Sequence, residues 1–373
     1  MNTPLYIGLM SGTSMDGVDC ALLDFSSTQP RVVDYLSEPL PATLKTRLLR
    51  LSTNAQIDLR ELGTLDIEVA QQFAYTVHKL LARNALQAAT IAAIGSHGQT
   101  VWHEPPQAAR HQPFTLQIGD PNTLAESTGI TVVADLRRRD MAAGGQGAPI
   151  VPALHRELFH SRAHNRIVLN LGGIANITYL PRDNQQPCGL DTGPANVLMD
   201  AWIKQQRQRE FDANGDWARS GQVHEPLLAR LLDEAYFTLP APKSTGRELF
   251  NLPWLQAKLA GLDPAPSAVD VQATLLALTV ASVSREVLRL LPAGELIVCG
   301  GGARNAALVE QLGHSLPAFR ILQAAECGFD ADCVEAVAFA WLAMKALQRE
   351  PVDFSPFTGA RHPVLAGGIY YAD

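Results

Sequence analysis

The sequence predicts an α/β protein of two related lobes, and three observations carry that prediction. Two strand-turn-strand signals, "IGLMSGTSMDGVDCALLDF" at 7–25 and "IVLNLGGIANITYL" at 167–180, fall once in each half of the 373 residues. A long stretch with apolar residues at helical spacing follows each, at 64–89 and 271–291. Each stretch is followed by a strand ending in glycines, "IAAIGSHGQTV" at 91–101 and "ELIVCGGGARN" at 295–305. This recurring order is the mark of two similar α/β units, expected at 1–165 and 166–373 with a ligand in the interlobe cleft.

Each element has its own signal. The hairpins are β-rich runs flanking glycine-containing turns. Leu65, Val69, Phe73, Val77, Leu80 and Leu81 line one face of the first helix; Leu275, Leu278, Val283, Val287, Leu290 and Leu291 line the second. The glycine-free stretch "LHRELFHSRAHNR" at 154–166 predicts a helix near the lobe boundary. "VEAVAFAWLAMKAL" at 334–347 is apolar almost all round and predicts a buried helix.

Hydrophobic residues at 47% and charged residues at 18% are ordinary globular composition. With 37 acidic and 30 basic residues the net charge is −7, so the long-range field disfavours nucleic acid, and an anionic ligand must be held by local chemistry. The five cysteines, Cys20, Cys188, Cys299, Cys327 and Cys333, lack CxxC spacing and are odd in number, which fits a reducing compartment. "MNTPLYIGLM" has no basic n-region, and no run approaches the ~20 apolar residues of a membrane span. A soluble, cytoplasmic protein without a membrane partner is expected.

Phosphate tails need backbone N–H groups free of obstructing side chains, which glycine turns beside strands and helix starts supply. Gly12, Thr13, Ser14 and Gly17 offer such access, with Asp16 and Asp19 placed to hold Mg²⁺ through water. Gly172 and Gly173 leave space in the second hairpin, and Gly300, Gly301 and Gly302, followed by Ala303, Arg304 and Asn305, form a turn with room for adenine or ribose. Any one of these could be a tight turn only; three at matched positions favour nucleotide. Neither GxxxxGK[ST] nor GxGxxG with a following acid is present.

In "GLDTGPAN" at 189–196, Pro194 suits the first turn of a helix and puts Asp191 just before its N-terminus. Asp191 there is either a cap or a general base facing the cleft. In "GSHGQT", His97 and Gln99 follow a strand and are either sugar contacts or parts of a packed turn. "RRRDMAAGGQG" at 137–147 sets basic side chains, Arg138 among them, beside a glycine loop suited to a carboxylate, or is a solvated charged turn. Asp120 and Glu335 are further polar candidates, Glu335 opening an apolar helix that it either serves as a cap or marks as a site.

Through "GLMSGTSMDGVD", "GSHGQT", "ADLRRRDMAAGGQGAP", "NLGGIANIT", "LDTGPAN" and "CGGGARN" the sequence resembles the anhydro-N-acetylmuramic acid kinase family, over essentially its whole length. That family lies in the superfamily of actin, hexokinase and heat-shock ATPases, which implies lobes of the actin-like ATPase, ribonuclease H-like type. The resemblance makes residues 12–19, Met15 and Val18 included, the first ATP phosphate loop. It makes 170–176 the second loop, the glycine triplet with Asn305 the adenosine motif, and Asp191 the catalytic base. It implies ATP and Mg²⁺ as cofactors, an amino-sugar substrate and a homodimer. The implied reaction opens 1,6-anhydro-N-acetylmuramic acid with water and phosphorylates the freed oxygen, giving N-acetylmuramic acid 6-phosphate in peptidoglycan recycling. A plain sugar kinase on the same lobes is the alternative; an actin-like or chaperone ATPase is a more distant one.

Overall fold

The computed structural model describes residues 4–12, 15–27, 30–53, 56–106, 112–183, 185–241, 243–247, 249–328 and 333–373. It divides into two compact units, Met1–Leu154 with Cys333–Asp373, and His155–Asp332.

The first unit opens with the expected hairpin, β1 (Leu5–Ser11) and β2 (Gly17–Asp24), whose Ile7, Leu9, Cys20 and Leu22 are buried. β3 (Arg31–Pro39) extends it antiparallel. Helix α1 (Ala42–Thr53) leads to α2 (Leu59–Arg83), which starts where Asp58 accepts from the Arg60 N–H and buries Leu65, Val69, Phe73, Val77 and Leu80. Then come β4 (Ile91–Glu104), β5 (Phe114–Ile118), α3 (Pro121–Thr128), β6 (Val132–Ala134), α4 (Leu136–Ala142) and α5 (Val151–Phe159), the helix expected near the boundary.

In the second unit β7 (Arg166–Leu171) and β8 (Ile174–Leu180) form the second hairpin, followed by β9 (Cys188–Pro194). Helices α6 (Asn196–Arg207), α7 (Asp216–Arg219), α8 (Glu225–Leu232), α9 (Leu252–Leu259) and α10 (Ala268–Leu290) come next. β10 (Gly294–Cys299), α11 (Ala306–Ser315) and β11 (Phe319–Gln323) complete the unit. By length and composition α10 could cross a membrane, but 78% of its apolar window is buried, as in a core helix. The chain then returns to the first unit as α12 (Val334–Leu347), α13 (Ser355–Thr358) and β12 (Gly368–Tyr370).

The sheets bear out the repeat. One runs β12-β6-β4-β1-β2-β3, with β5 beside β4; the other runs β11-β10-β7-β8-β9. In each, three antiparallel strands in sequence are extended by two parallel ones. This is the ribonuclease H-like order, found twice.

Two expectations are corrected. The units are not cut once after residue 165, because the C-terminal segment packs with the first. The glycines of "IAAIGSHGQTV" do not end a strand but lie inside β4, so His97 and Gln99 are strand residues. The reason is helix packing: Gly95 pairs with Gly8 of β1, and a Cβ on either would overlap an α12 carbonyl oxygen, that of Phe339 or Ala336.

Candidate active site

The first glycine loop is built from the backbone outward. The Met15 N–H donates to the Gly12 carbonyl at 3.0 Å, and Met15 takes a left-handed φ of 54°. Met15 and Val18 bury their side chains completely, leaving only backbone to face a ligand. Thr13 and Ser14 lie outside the described residues. Gly17 has a packing reason as well, since a Cβ there would sit 2.7 Å from the Glu38 carbonyl oxygen; its φ is not left-handed.

Gln99 fastens this loop to β4. Its Oε1 accepts from the Ser11 hydroxyl at 2.7 Å, and its Nε2 donates to the carbonyls of Gly12 and Thr100, each at 3.2 Å. A buried amide engaged in this way positions the loop.

Beside the loop a cavity of about 350 Å³ is lined by Gly12, Asp16, Gly17, Asp19, Ser37, Pro39 and Glu335. Asp16 pairs with Lys45 at 2.5 Å, and Asp19 accepts from the Tyr35 hydroxyl at 2.6 Å. No cluster of three or more His, Cys, Asp or Glu groups spaced to bind a metal occurs among the described residues. Three carboxylates around one cavity do suit a hard, hydrated cation held through water. Glu335, in the first turn of α12, is the one that could not be linked to residues 12–19 by sequence distance.

A second cavity, of about 190 Å³, includes Asp66, Ser96, His97, Gln117, Asp135 and Arg138 in its lining. His97 is buried with both ring nitrogens engaged: Nδ1 with the Gly98 carbonyl at 2.8 Å, and Nε2 with the Nε–H of Arg137 at 2.8 Å. Burial and then the Arg137 charge hold its pKa well below 6.5, so the ring is neutral, donates from Nδ1 and accepts at Nε2. It is a satisfied histidine that orients an arginine. Arg137 also donates to the Gly147 carbonyl at 2.8 Å; burial pulls its pKa down to about 10, opposed by Glu335 and Asp140.

Arg138 instead lines the cavity, 3.4 Å from the Asp135 carboxylate. Asp140 shapes the glycine loop, accepting from the Gly147 N–H at 2.8 Å and the Thr358 hydroxyl at 2.7 Å. Asp120 caps α3, accepting from the backbone N–H and hydroxyl of Thr123 at 2.7 and 2.6 Å; it does not line the cavity.

Asp66, Ser96 and Asp135 were missed by sequence reasoning. The Ser96 hydroxyl is buried without a hydrogen-bond partner, and Asp135 holds a left-handed φ of 59°. Burial raises the Asp66 pKa, offset in part by the Gly119 N–H. The available signal for Asp66 was an acid between Leu65 and Val69, at the border of the buried helix face.

In the second unit the two hairpin glycines are only loosely surrounded. A Cβ on Gly172 or Gly173 would meet nothing closer than 3.5 Å, and neither has a left-handed φ, so packing does not demand glycine there. Their carbonyls accept from the N–H groups of Ala195, Asn196 and Val197, which already satisfies the start of α6. Within the triplet, Gly300 has a φ of 79° and a Cβ on it would overlap Asn170, while one on Gly302 would lie 2.7 Å from Leu171. Gly301 has no atom within 4 Å of such a Cβ. Asn305 caps α11 by accepting from the Leu308 N–H at 3.1 Å.

Asp191 is not at a helix N-terminus. It lies inside β9, and α6 begins only at Asn196, so Pro194 ends a strand instead of starting a helix. Edge strands tolerate the Gly and Pro of "GLDTGP" that read as a turn. The half-buried Asp191 carboxylate accepts from the Thr245 N–H at 3.0 Å, its own N–H donates to the Lys243 carbonyl at 3.0 Å, and its carbonyl accepts from the Tyr236 hydroxyl at 2.7 Å. Backbone bonds, not a helix dipole, orient it.

Among solved structures, the activator of 2-hydroxyisocaproyl-CoA dehydratase from Clostridium difficile with bound ADPNP has a TM-score of 0.47 at 11% identity, covering 92% of this chain and 96% of that one. A ROK hexokinase from Thermus thermophilus has a TM-score of 0.36 at 14% identity, over 91% and 100%. In sequence, proteins named anhydro-N-acetylmuramic acid kinase are far nearer. That of Shewanella oneidensis is 48% identical over 372 residues, 100% of both chains, and that of Saccharophagus degradans 48% over 370 residues, 99% and 100%. The model of the family described as anhydro-N-acetylmuramic acid kinase matches residues 4–372, and the chain belongs to that family.

Proposed function

We infer a division of labour for the reaction of this chain, an ATP-dependent kinase that opens 1,6-anhydro-N-acetylmuramic acid and phosphorylates it to N-acetylmuramic acid 6-phosphate in peptidoglycan recycling. Asp191 is the general base. It takes a proton from the water that attacks the anomeric carbon; the bond from that carbon to the bridging oxygen breaks, and this oxygen takes the γ-phosphoryl group as ADP leaves. The observation that supports the assignment is the fixed orientation of the carboxylate, one oxygen held by the Thr245 N–H.

The cavity of Asp66, Ser96, Asp135 and Arg138 receives the sugar: the carboxylates and the unpartnered hydroxyl accept or donate to its polar groups, and the guanidinium suits the lactyl carboxylate. Gly12 and residues 15–19, with Gly172, Gly173 and Gly301, provide backbone for the nucleotide. Asp16, Asp19 and Glu335 would hold Mg²⁺ through water, and the ion would neutralise phosphate charge. The family resemblance also supports a homodimer working in the cytoplasm, which sedimentation and fractionation test.

Reaction in ¹⁸O-water tests the chemistry. The label is expected at the anomeric hydroxyl of the product and not in its phosphate. Label on free phosphate without phosphosugar overturns the kinase reading, and turnover of reducing N-acetylmuramic acid in place of the anhydro sugar would favour a plain kinase.

A further inference from the structure

The base of the proposed reaction sits on an edge strand of its sheet. Among the described residues β9 pairs only with β8, so one side of it has no strand neighbour. The irregular segment 243–245 covers that side, taking the Asp191 N–H on the Lys243 carbonyl and giving the Thr245 N–H to the carboxylate. With no strand or helix geometry of its own, this segment needs an anchor.

The anchor is an ion pair in the core. Lys243 Nζ lies 2.9 Å from Glu286 Oε1 of α10, with side chains 3% and 8% exposed. Lys243 Nζ also donates to the Tyr236 carbonyl at 3.4 Å and stands 4.9 Å from the centre of the Tyr236 ring. Tyr236 in turn holds the Asp191 carbonyl, and its neighbour Phe237 presses under β9, where a Cβ on Gly193 would meet the Phe237 ring at 2.7 Å. Glu286 also accepts from Arg289 at 3.1 and 3.3 Å, and from Lys243 two routes lead to Asp191, by the 243–245 backbone and by Tyr236. Burying two charges loses hydration that mutual attraction barely recovers, and apolar residues of similar volume are often at least as stable. Stability alone therefore does not account for the pair.

We propose that Lys243 and Glu286 are positioning residues for the Asp191 carboxylate, acting through the 243–245 backbone and Tyr236. The proposal rests on Asp191 being the base, and the experiment separates the two. Misplacing a reacting group by about 1 Å costs on the order of 100-fold in rate. In the full-length enzyme, Lys243→Met is expected to lower kcat about 10- to 100-fold while the KM values for ATP and for the anhydro sugar stay within about threefold, because nucleotide and sugar are held elsewhere. Because Lys243→Met leaves the buried Glu286 with only the half-exposed Arg289 as ionic partner, Lys243→Met with Glu286→Leu is made in parallel; its thermal midpoint is expected at or above that of the single variant, with kcat still low.

Wild-type kcat in either variant, or a loss spread equally over both KM values, overturns the positioning role. Asp191→Asn is assayed alongside. If it turns over like wild type, the base assignment fails; if it is inactive while Lys243→Met is fully active, the base stands and the anchor fails.

Discussion

Arg137 Nε donates to His97 Nε2 at 2.8 Å, and the other ring nitrogen of His97 bonds to its neighbour's carbonyl, so a neutral imidazole holds a buried guanidinium. His97→Leu removes the acceptor without exposing Arg137. An unsatisfied buried charged group costs about 2–3 kcal/mol or more, and the "RRRDMAAGGQG" loop loses one of its two Arg137 ties. Chemical denaturation should show that loss, and the KM for the sugar should rise more than the KM for ATP. Unchanged stability would mean that Arg137 does not depend on this bond.

Two buried histidines, His97 and His155, set an acid limit. Burial lowers the pKa of His97, with the Arg137 charge adding to it, and burial lowers that of His155 to about 3. In the unfolded chain each protonates near pH ~6.5. Below that pH the unfolded chain binds protons that the folded protein refuses, so stability falls as pH drops from ~6.5, and for His155 the fall continues to about 3. Each group contributes a slope of up to ~1.4 kcal/mol per pH unit. Denaturation midpoints between pH 7.5 and 5.5 should show it, and His155→Gln should flatten the slope by one histidine's share.

The glycines separate into two kinds. Gly301→Ala meets open space, so stability should stay within ~0.5 kcal/mol while the KM for ATP rises about tenfold, equivalent to ~1.4 kcal/mol. Gly17→Val should instead destabilise the β2–β3 pairing, because its side chain meets the Glu38 carbonyl. Melting curves and ATP titrations of both variants check the contrast; equal ATP defects at equal stability would refute it.

Arg138→Met tests the cavity. The Asp135–Arg138 pair is partly exposed, so its loss should cost under ~1 kcal/mol of stability. A charge-assisted bond to the lactyl carboxylate is worth ~1.5–3 kcal/mol, so the sugar KM should rise about 10- to 100-fold with the ATP KM unchanged. A sugar KM at the wild-type value would place the carboxylate elsewhere.

Both hairpins and the long helices were legible because each rests on a local period: alternation around Gly172–Gly173, or a stripe such as Leu65, Val69 and Phe73. Asp191 was singled out but given the wrong support, since "GLDTGP" carries turn chemistry while serving as an edge strand. What holds it was out of reach: Lys243 and Glu286 are 43 positions apart, and no local pattern marks a lysine as buried. Glu335 was legible as an oddity in an apolar helix, but its place beside Asp16 and Asp19 depends on long-range packing.

The paired glycines under α12 also bear on the order in which the protein takes shape during synthesis. β1 and β4 leave the ribosome early, yet the helix that rests on Gly8 and Gly95 is made only after the whole intervening unit, His155–Asp332. That unit's residues are all synthesised while the first sheet still lacks the helix on one face. At ~5–20 residues per second the delay between Gly95 and Val334 is roughly 10–50 s. Throughout it, the nascent chain carries an uncovered apolar surface, which makes this interval the period of greatest exposure to aggregation and to chaperones.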